Sequence, residues 1–192
     1  MAYLIDKITQ SLAKEGLTPR TNKARAWLRS KVKDLSVSRT ALMRNNSRLK
    51  TNSIIGKMYF YFYDPKLKDI LPYYDKFPLV VPIDEYADGF IGLNLHYIHP
   101  KQRMILLDKL SETLNNDNYD DTTKFRISYA YLKAASKIYE ATPCLKKYLY
   151  KHVQSRFLEI NSNEWDIAAL LPAENFIGAS TSKVYAESRK KY

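Results

Sequence analysis

The chain has 192 residues, 45% of them hydrophobic, and a formal net charge of +11. That length supports one compact domain with an appendage, and that charge calls for a polyanionic partner such as nucleic acid, a membrane surface or an acidic protein. The single cysteine, Cys144, excludes an internal disulfide and fits a reducing cytoplasm. No secretory leader is evident, because Asp6 and Lys7 interrupt the apolar start, and no apolar run approaches the ~20 residues of a membrane helix, so no membrane partner is expected.

The charge is polarised along the chain. Residues 1–55 hold twelve Lys and Arg against three acids (Asp6, Glu15, Asp34), a net +9, whereas the remaining 137 residues carry only +2. This asymmetry divides the chain into a basic N-terminal arm, residues 1–53, and a nearly neutral α+β body, residues 54–192.

In chain order, residues 2–15 read as an amphipathic helix with Tyr3, Leu4, Ile8 and Leu12 on one face and Gly16 as its stop. Thr18-Pro19 has the form of an N-cap with proline in the first turn. The helix behind it, RTNKARAWLRSKVKDL, has a narrow apolar stripe around Ala26, Trp27 and Leu28 and a wide basic face. SVSRTALMRNNSRLKTNS has no period and reads as a loop or extended arm that a partner orders. Met58–Tyr63 has strand composition, with Met58, Phe60 and Phe62 on one face and Tyr59, Tyr61 and Tyr63 on the other. FPLVVPI is a second strand closed by Pro82. Asp88-Gly89 is a hairpin-type turn, and GFIGLNLHYI is a third strand. About three antiparallel strands are therefore expected, packed with C-terminal helices. His99-Pro100 opens one helix. Asp121 or Thr122 caps TKFRISYAYLKAASKIYEA, and Thr142-Pro143 caps CLKKYLYKHVQSRF. FLEI is a brief strand, NEWDIAALL a short helix ended by Pro172, and Ser180 or Thr181 caps the last helix.

Catalytic constellations are not evident. His96 and His99 are three apart, but they fall where a strand runs into a helix, which spoils a shared metal site. Cys144 and His152 on one helix would be about 12 Å apart, beyond hydrogen-bond reach. The carboxylate pairs Asp84-Glu85, Asp120-Asp121 and Glu164 with Asp166 sit at turn or cap positions. Five glycines provide no phosphate loop. Neither a metal nor a cofactor is expected, and the chain reads as no enzyme.

The basic segment is the strongest signal. Residues 16–50 hold ten Lys and Arg and one acid, together with the Ser and Asn that assist phosphate binding. Arg25, Arg29, Lys31, Lys33, Arg39, Arg44, Arg48 and Lys50 are the candidate phosphate contacts. The aromatic run Lys57–Ile83 holds eight aromatic residues. A base-stacking surface would place them in a positive groove. They lie instead in the neutral body with strand alternation, so the core is their expected place.

The strings GKMYFYFYDPKLKDILPYYDKFPLVVPI and DGFIGLNLHYIHPKQRMILLDKL, with PCLKKYLYKHVQSRF and EWDIAALLPAENF, resemble small virion proteins of contractile-tailed, T-even-like phages, the DNA end protector or head completion family. The resemblance covers most of residues 53–190. It implies binding to the ends of packaged linear DNA, shielding from host exonuclease, and a place in the virion after assembly in the host cytoplasm. No functional residue is carried over with it. The leading expectation is a non-enzymatic virion protein that binds duplex DNA through the basic segment and docks on head, neck or tail proteins. The alternative is an assembly subunit of tail, baseplate or neck whose arm threads into an acidic protein neighbour. A packaging nuclease is a weaker third.

Overall fold

The computed structural model describes residues 4–44, 46–114 and 144–189. Helix α1 (Leu4–Lys14) buries Ile5, Ile8 and Leu12 at the i, i+3, i+7 spacing of one helical face. Gly16 ends it in the left-handed conformation (φ 64°). Tyr3 lies outside the described residues. Helix α2 (Asn22–Val32) is capped by Thr21, whose side chain accepts from the Ala24 amide at 3.2 Å. Thr18 is not the cap: its carbonyl accepts from the Thr21 hydroxyl. The buried stripe of α2 is Ala24, Leu28 and Val32 together with the charged Arg25.

The segment expected to be a loop or an extended arm ordered by a partner makes its contacts within the chain itself. Ser38 caps a short helix α3 (Arg39–Leu42), a 3-10 turn spans Asn46–Arg48, and β1 (Leu49–Lys50) pairs antiparallel with β7 (Phe157–Ile160). Ile5, Leu12, Leu28 and Leu42 share one hydrophobic cluster with Phe60, Leu79, Leu93 and Trp165. Buried residues of α1, α2 and α3 thus pack into the same cluster as residues of the sheet.

Among the described residues the main sheet has six strands, where about three were expected. Besides β1 and β7 it contains β2 (Met58–Phe60), β4 (Leu79–Tyr86), β5 (Gly89–Asn94) and β6 (Leu145–Leu149), in the order β1-β7-β2-β4-β5-β6, and every pairing is antiparallel. A separate two-stranded ribbon joins β3 (Tyr74–Asp75) to β8 (Phe176–Ile177). Pro82 does not close its strand. It sits opposite Gly92 beside a register shift between Pro82 and Asp84, a place where a missing amide is tolerated. CLKKYLY is the edge strand β6 and its following turn, not a helix, so Cys144 and His152 share no helix. Tyr148 faces the core from β6 while Lys147 is exposed, the alternation of a strand.

Alternation splits the aromatic run between two faces, as its sequence implies. Met58 and Phe60 join the main cluster, whereas Tyr59, Tyr61 and Tyr63 form a second one with Val80, Phe90, Tyr148 and Phe157. Its rings meet edge to face, with Tyr61 and Phe157 centroids 4.9 Å apart at 63°. The first face is covered by helices: α4 (Pro100–Leu114), α5 (Trp165–Leu170), whose six residues are all buried, and α6 (Thr181–Arg189), with Ser180 accepting from the Lys183 amide at its start. The expected helix TKFRISYAYLKAASKIYEA, its caps, and Thr142-Pro143 lie outside the described residues. Among the described residues, no helix is long and apolar enough to cross a membrane.

Candidate nucleic-acid interface

The eight nominated cations separate into two groups once the chain is folded. Three, Arg25, Arg39 and Arg48, are held by residues of the body. Arg25 is buried between Asp166 (Nε to Oδ2, 2.6 Å) and Asp108 (2.5 Å), and its hydrogen bonds to Asp108 outweigh burial and raise its pKa. Arg48 binds Glu164 (2.5 Å) and Asp6 (2.7 Å) and is raised chiefly by its bond to Glu164. Arg39 donates to the backbone carbonyls of Ala173 (2.8 Å) and Glu174. Glu164, at the N-cap of α5, and Asp166, in its first turn, hold the expected cap positions and also serve as counterions for the N-terminal segment. Two of the twelve N-terminal bases are offset by these acids of the body, and the basic surface is smaller than the sequence count implies.

The other five, Arg29, Lys31, Lys33, Arg44 and Lys50, are exposed. Arg29, Lys31 and Lys33 lie along α2 and its C-cap, while Lys50 is on β1, an edge strand of the main sheet. Arg29 also donates to the Arg25 carbonyl at 3.3 Å, the i−4 position of its own helix.

A groove between α1 and α2 adds two lysines that sequence reasoning missed. Lys7, Ser11 and Lys14 of α1 face Trp27 and Lys31 of α2 across a cavity of about 300 Å³, with Glu15 its one acidic lining residue. The Lys31 ammonium lies 5.6 Å from the centroid of the half-buried Trp27 ring. Lys7, Ser11 and Lys14 are spaced i, i+4, i+7, which puts them on one side of a helix whose buried stripe is plain in the sequence. That spacing was the available signal. The partner helix was not foreseeable, because α1 and α2 meet only through tertiary packing. The arrangement offers three ammonium groups for phosphate oxygens beside an aromatic ring, while the Ser11 hydroxyl is turned back to the Lys7 carbonyl.

The remaining candidates for chemistry are built into the fold. Buried His96 places Nδ1 2.7 Å from Oδ2 of Asp75, and His99 packs against the Tyr185 ring, so the two do not form a ligand pair. Among the described residues, no group of three or more His, Cys, Asp or Glu could hold a metal. Cys144 is buried, and burial pushes its thiol up to about 12, which makes it unreactive near neutrality.

No curated protein matches the chain, and no solved structure does. A protein-family model does match it across nearly its whole length, residues 3–191, and on that match the chain belongs to the family of the phage T4 terminal DNA protecting protein.

Proposed function

We propose that the chain is a non-enzymatic virion protein that covers the ends of linear phage DNA, gripping the duplex through its phosphates at the α1–α2 groove. The observation that carries this reading is the convergence of Lys7, Lys14 and Lys31 beside Trp27. Arg29, Lys33, Arg44 and Lys50 extend the exposed positive charge beyond it. The family's name, with its reference to terminal DNA, supports the choice of duplex ends over other polyanions. Binding of this kind runs on counterion release and needs no base readout. Protection then follows from occlusion: an exonuclease cannot engage a terminus that is already covered. The buried pair of Arg25 with Asp166 ties α2 to the body, and the half-buried pairs of Arg48 with Asp6 and Glu164 tie α1 to it.

The test compares blunt linear duplex with closed circular DNA of equal length across a salt series, followed by exonuclease challenge of the linear form. Seven phosphate contacts, one for each of Lys7, Lys14, Arg29, Lys31, Lys33, Arg44 and Lys50, give a slope of log affinity against log salt of roughly −6. Preference for the linear form and resistance to exonuclease support the reading. Equal affinity for both forms removes the ends from it. Absence of binding at low salt assigns the groove to an acidic segment of a neighbouring head, neck or tail protein.

A further inference from the structure

We propose that a second pocket, beneath the loop of residues 65–72, binds a single nucleotide through its base and its phosphate together. This goes beyond the duplex-gripping groove, with which the pocket shares no lining residue. The cavity measures about 450 Å³, within the range of small-ligand sites. Its walls include the half-buried Tyr73 and Tyr74, backed by the buried Tyr63, Tyr97 and Tyr148, and Leu67 and Leu71 stand at its side 54% and 38% exposed. Large apolar side chains exposed beside an aromatic cavity present a surface that a flat ring would cover.

Charge completes the argument. Lys66, Lys146 and Lys147 line the same cavity, and the Lys146 ammonium lies 5.0 Å from the centroid of the Tyr97 ring. Two acids oppose them. Asp75 is turned inward: Oδ1 accepts from the amides of Phe77 and Asn175, and Oδ2 from the Asn94 amide group, with His96 Nδ1 2.7 Å away. Asp88 is matched by Lys147 at 3.0 Å. Aromatic and leucine walls disfavour a bare inorganic anion, and the lysines disfavour a neutral ring. A nucleotide satisfies both, with its base against the rings and its phosphate at the lysines. The source is either a free mononucleotide or the frayed last residue of a DNA strand.

Calorimetric titration of the full chain with dAMP and with deoxyribose 5-phosphate tests the site. Saturable one-to-one binding of dAMP is expected, with the ring-free sugar phosphate at least tenfold weaker. Replacing Lys66 and Lys146 with alanine should lower dAMP affinity roughly tenfold, and an unchanged melting temperature shows that the fold is intact. Leu71→Trp, which fills the mouth, should abolish binding without touching a lysine. Competition against dAMP by a duplex with one unpaired terminal nucleotide identifies the strand end as the source, and lack of competition identifies the free nucleotide. No saturable heat up to about 5 mM dAMP, equal binding of the sugar phosphate, or displacement of dAMP by an acidic peptide but by no nucleotide overturns the proposal. Failure of the duplex reading appears separately, as loss of salt-dependent binding to long DNA while dAMP still binds.

Discussion

Arg25 and Asp166 meet 2.6 Å apart with both side chains 5% exposed, and this contact joins α2 to α5. Asp108 of α4 closes the cluster from its half-exposed side. Removing Arg25 leaves Asp166 as a buried carboxylate without its counterion, the costly outcome for an internal pair. Arg25→Ala should therefore destabilise the fold by about 3–5 kcal/mol, read by urea denaturation. Asp108→Ala should cost about 1 kcal/mol or less, since that partner is largely solvated. Equal losses for both would refute the buried-pair account. Arg25 is accordingly an unsuitable probe of DNA contact, because its loss disturbs the helix that carries Lys31.

Much of the fold was legible residue by residue. The helical period of α1 with Ile8 and Leu12 on its buried face, the stop at Gly16, the proline opening of α4 and the two faces of Met58–Tyr63 follow from short-range rules and are present, though Ile5 is buried where Leu4 was expected. The missed strands share one cause. Leu49–Lys50 and Leu145–Leu149 become strands only because β7 and β5 offer them hydrogen-bonding edges, and neither short segment has a period long enough to announce it. The same holds for the site. Charge count marked the N-terminal segment, but it could not distinguish Arg48, held by Glu164 116 residues away, from the exposed Lys31.

Gly89 tests the β5–β6 edge. A Cβ at this position would lie 1.9 Å from the Tyr148 carbonyl oxygen and 2.9 Å from its carbon, both backbone atoms that cannot rotate away. Gly89→Ala must push β6 from β5, at a cost of about 1–3 kcal/mol by the measure of overpacked sites. A thermal melt within a degree or so of the parent would show that the strands are not held this close.

Glu174 gives the fold a pH dependence of predictable sign. Burial works against its ionisation, but the electrostatic pull of His96 and Arg103, and the Arg103 hydrogen bond at 2.6 Å, outweigh it and hold the carboxyl down at about 2, against an ordinary 4.5. The unfolded chain takes up this proton first as pH falls. The contribution to stability is thus complete above about pH 4.5 and is lost on descent towards pH 2, with a size of up to about 3 kcal/mol. Denaturation of the parent and of Glu174→Gln should differ clearly at about pH 5.5 and converge at about pH 2.5. A gap that stays constant between those two conditions would mean that the Glu174 charge is not what Arg103 requires.

The α1–α2 groove makes a quantitative claim that separates it from the rest of the surface. Lys7, Lys14 and Lys31 are exposed and form no part of the hydrophobic cluster, so replacing all three with alanine should leave the melting temperature nearly unchanged. Each phosphate contact contributes about 0.9 to the slope of log affinity against log salt, so the triple variant should show a slope shallower by about 3. Replacement of Lys57, Lys68 and Lys183 removes the same formal charge from side chains that pair with Glu159, Asp64 and Glu187 on other parts of the chain. If net charge alone governed binding, the two triple variants would weaken it alike. If the groove receives the duplex, only the first shifts the slope and only the first exposes linear DNA to exonuclease.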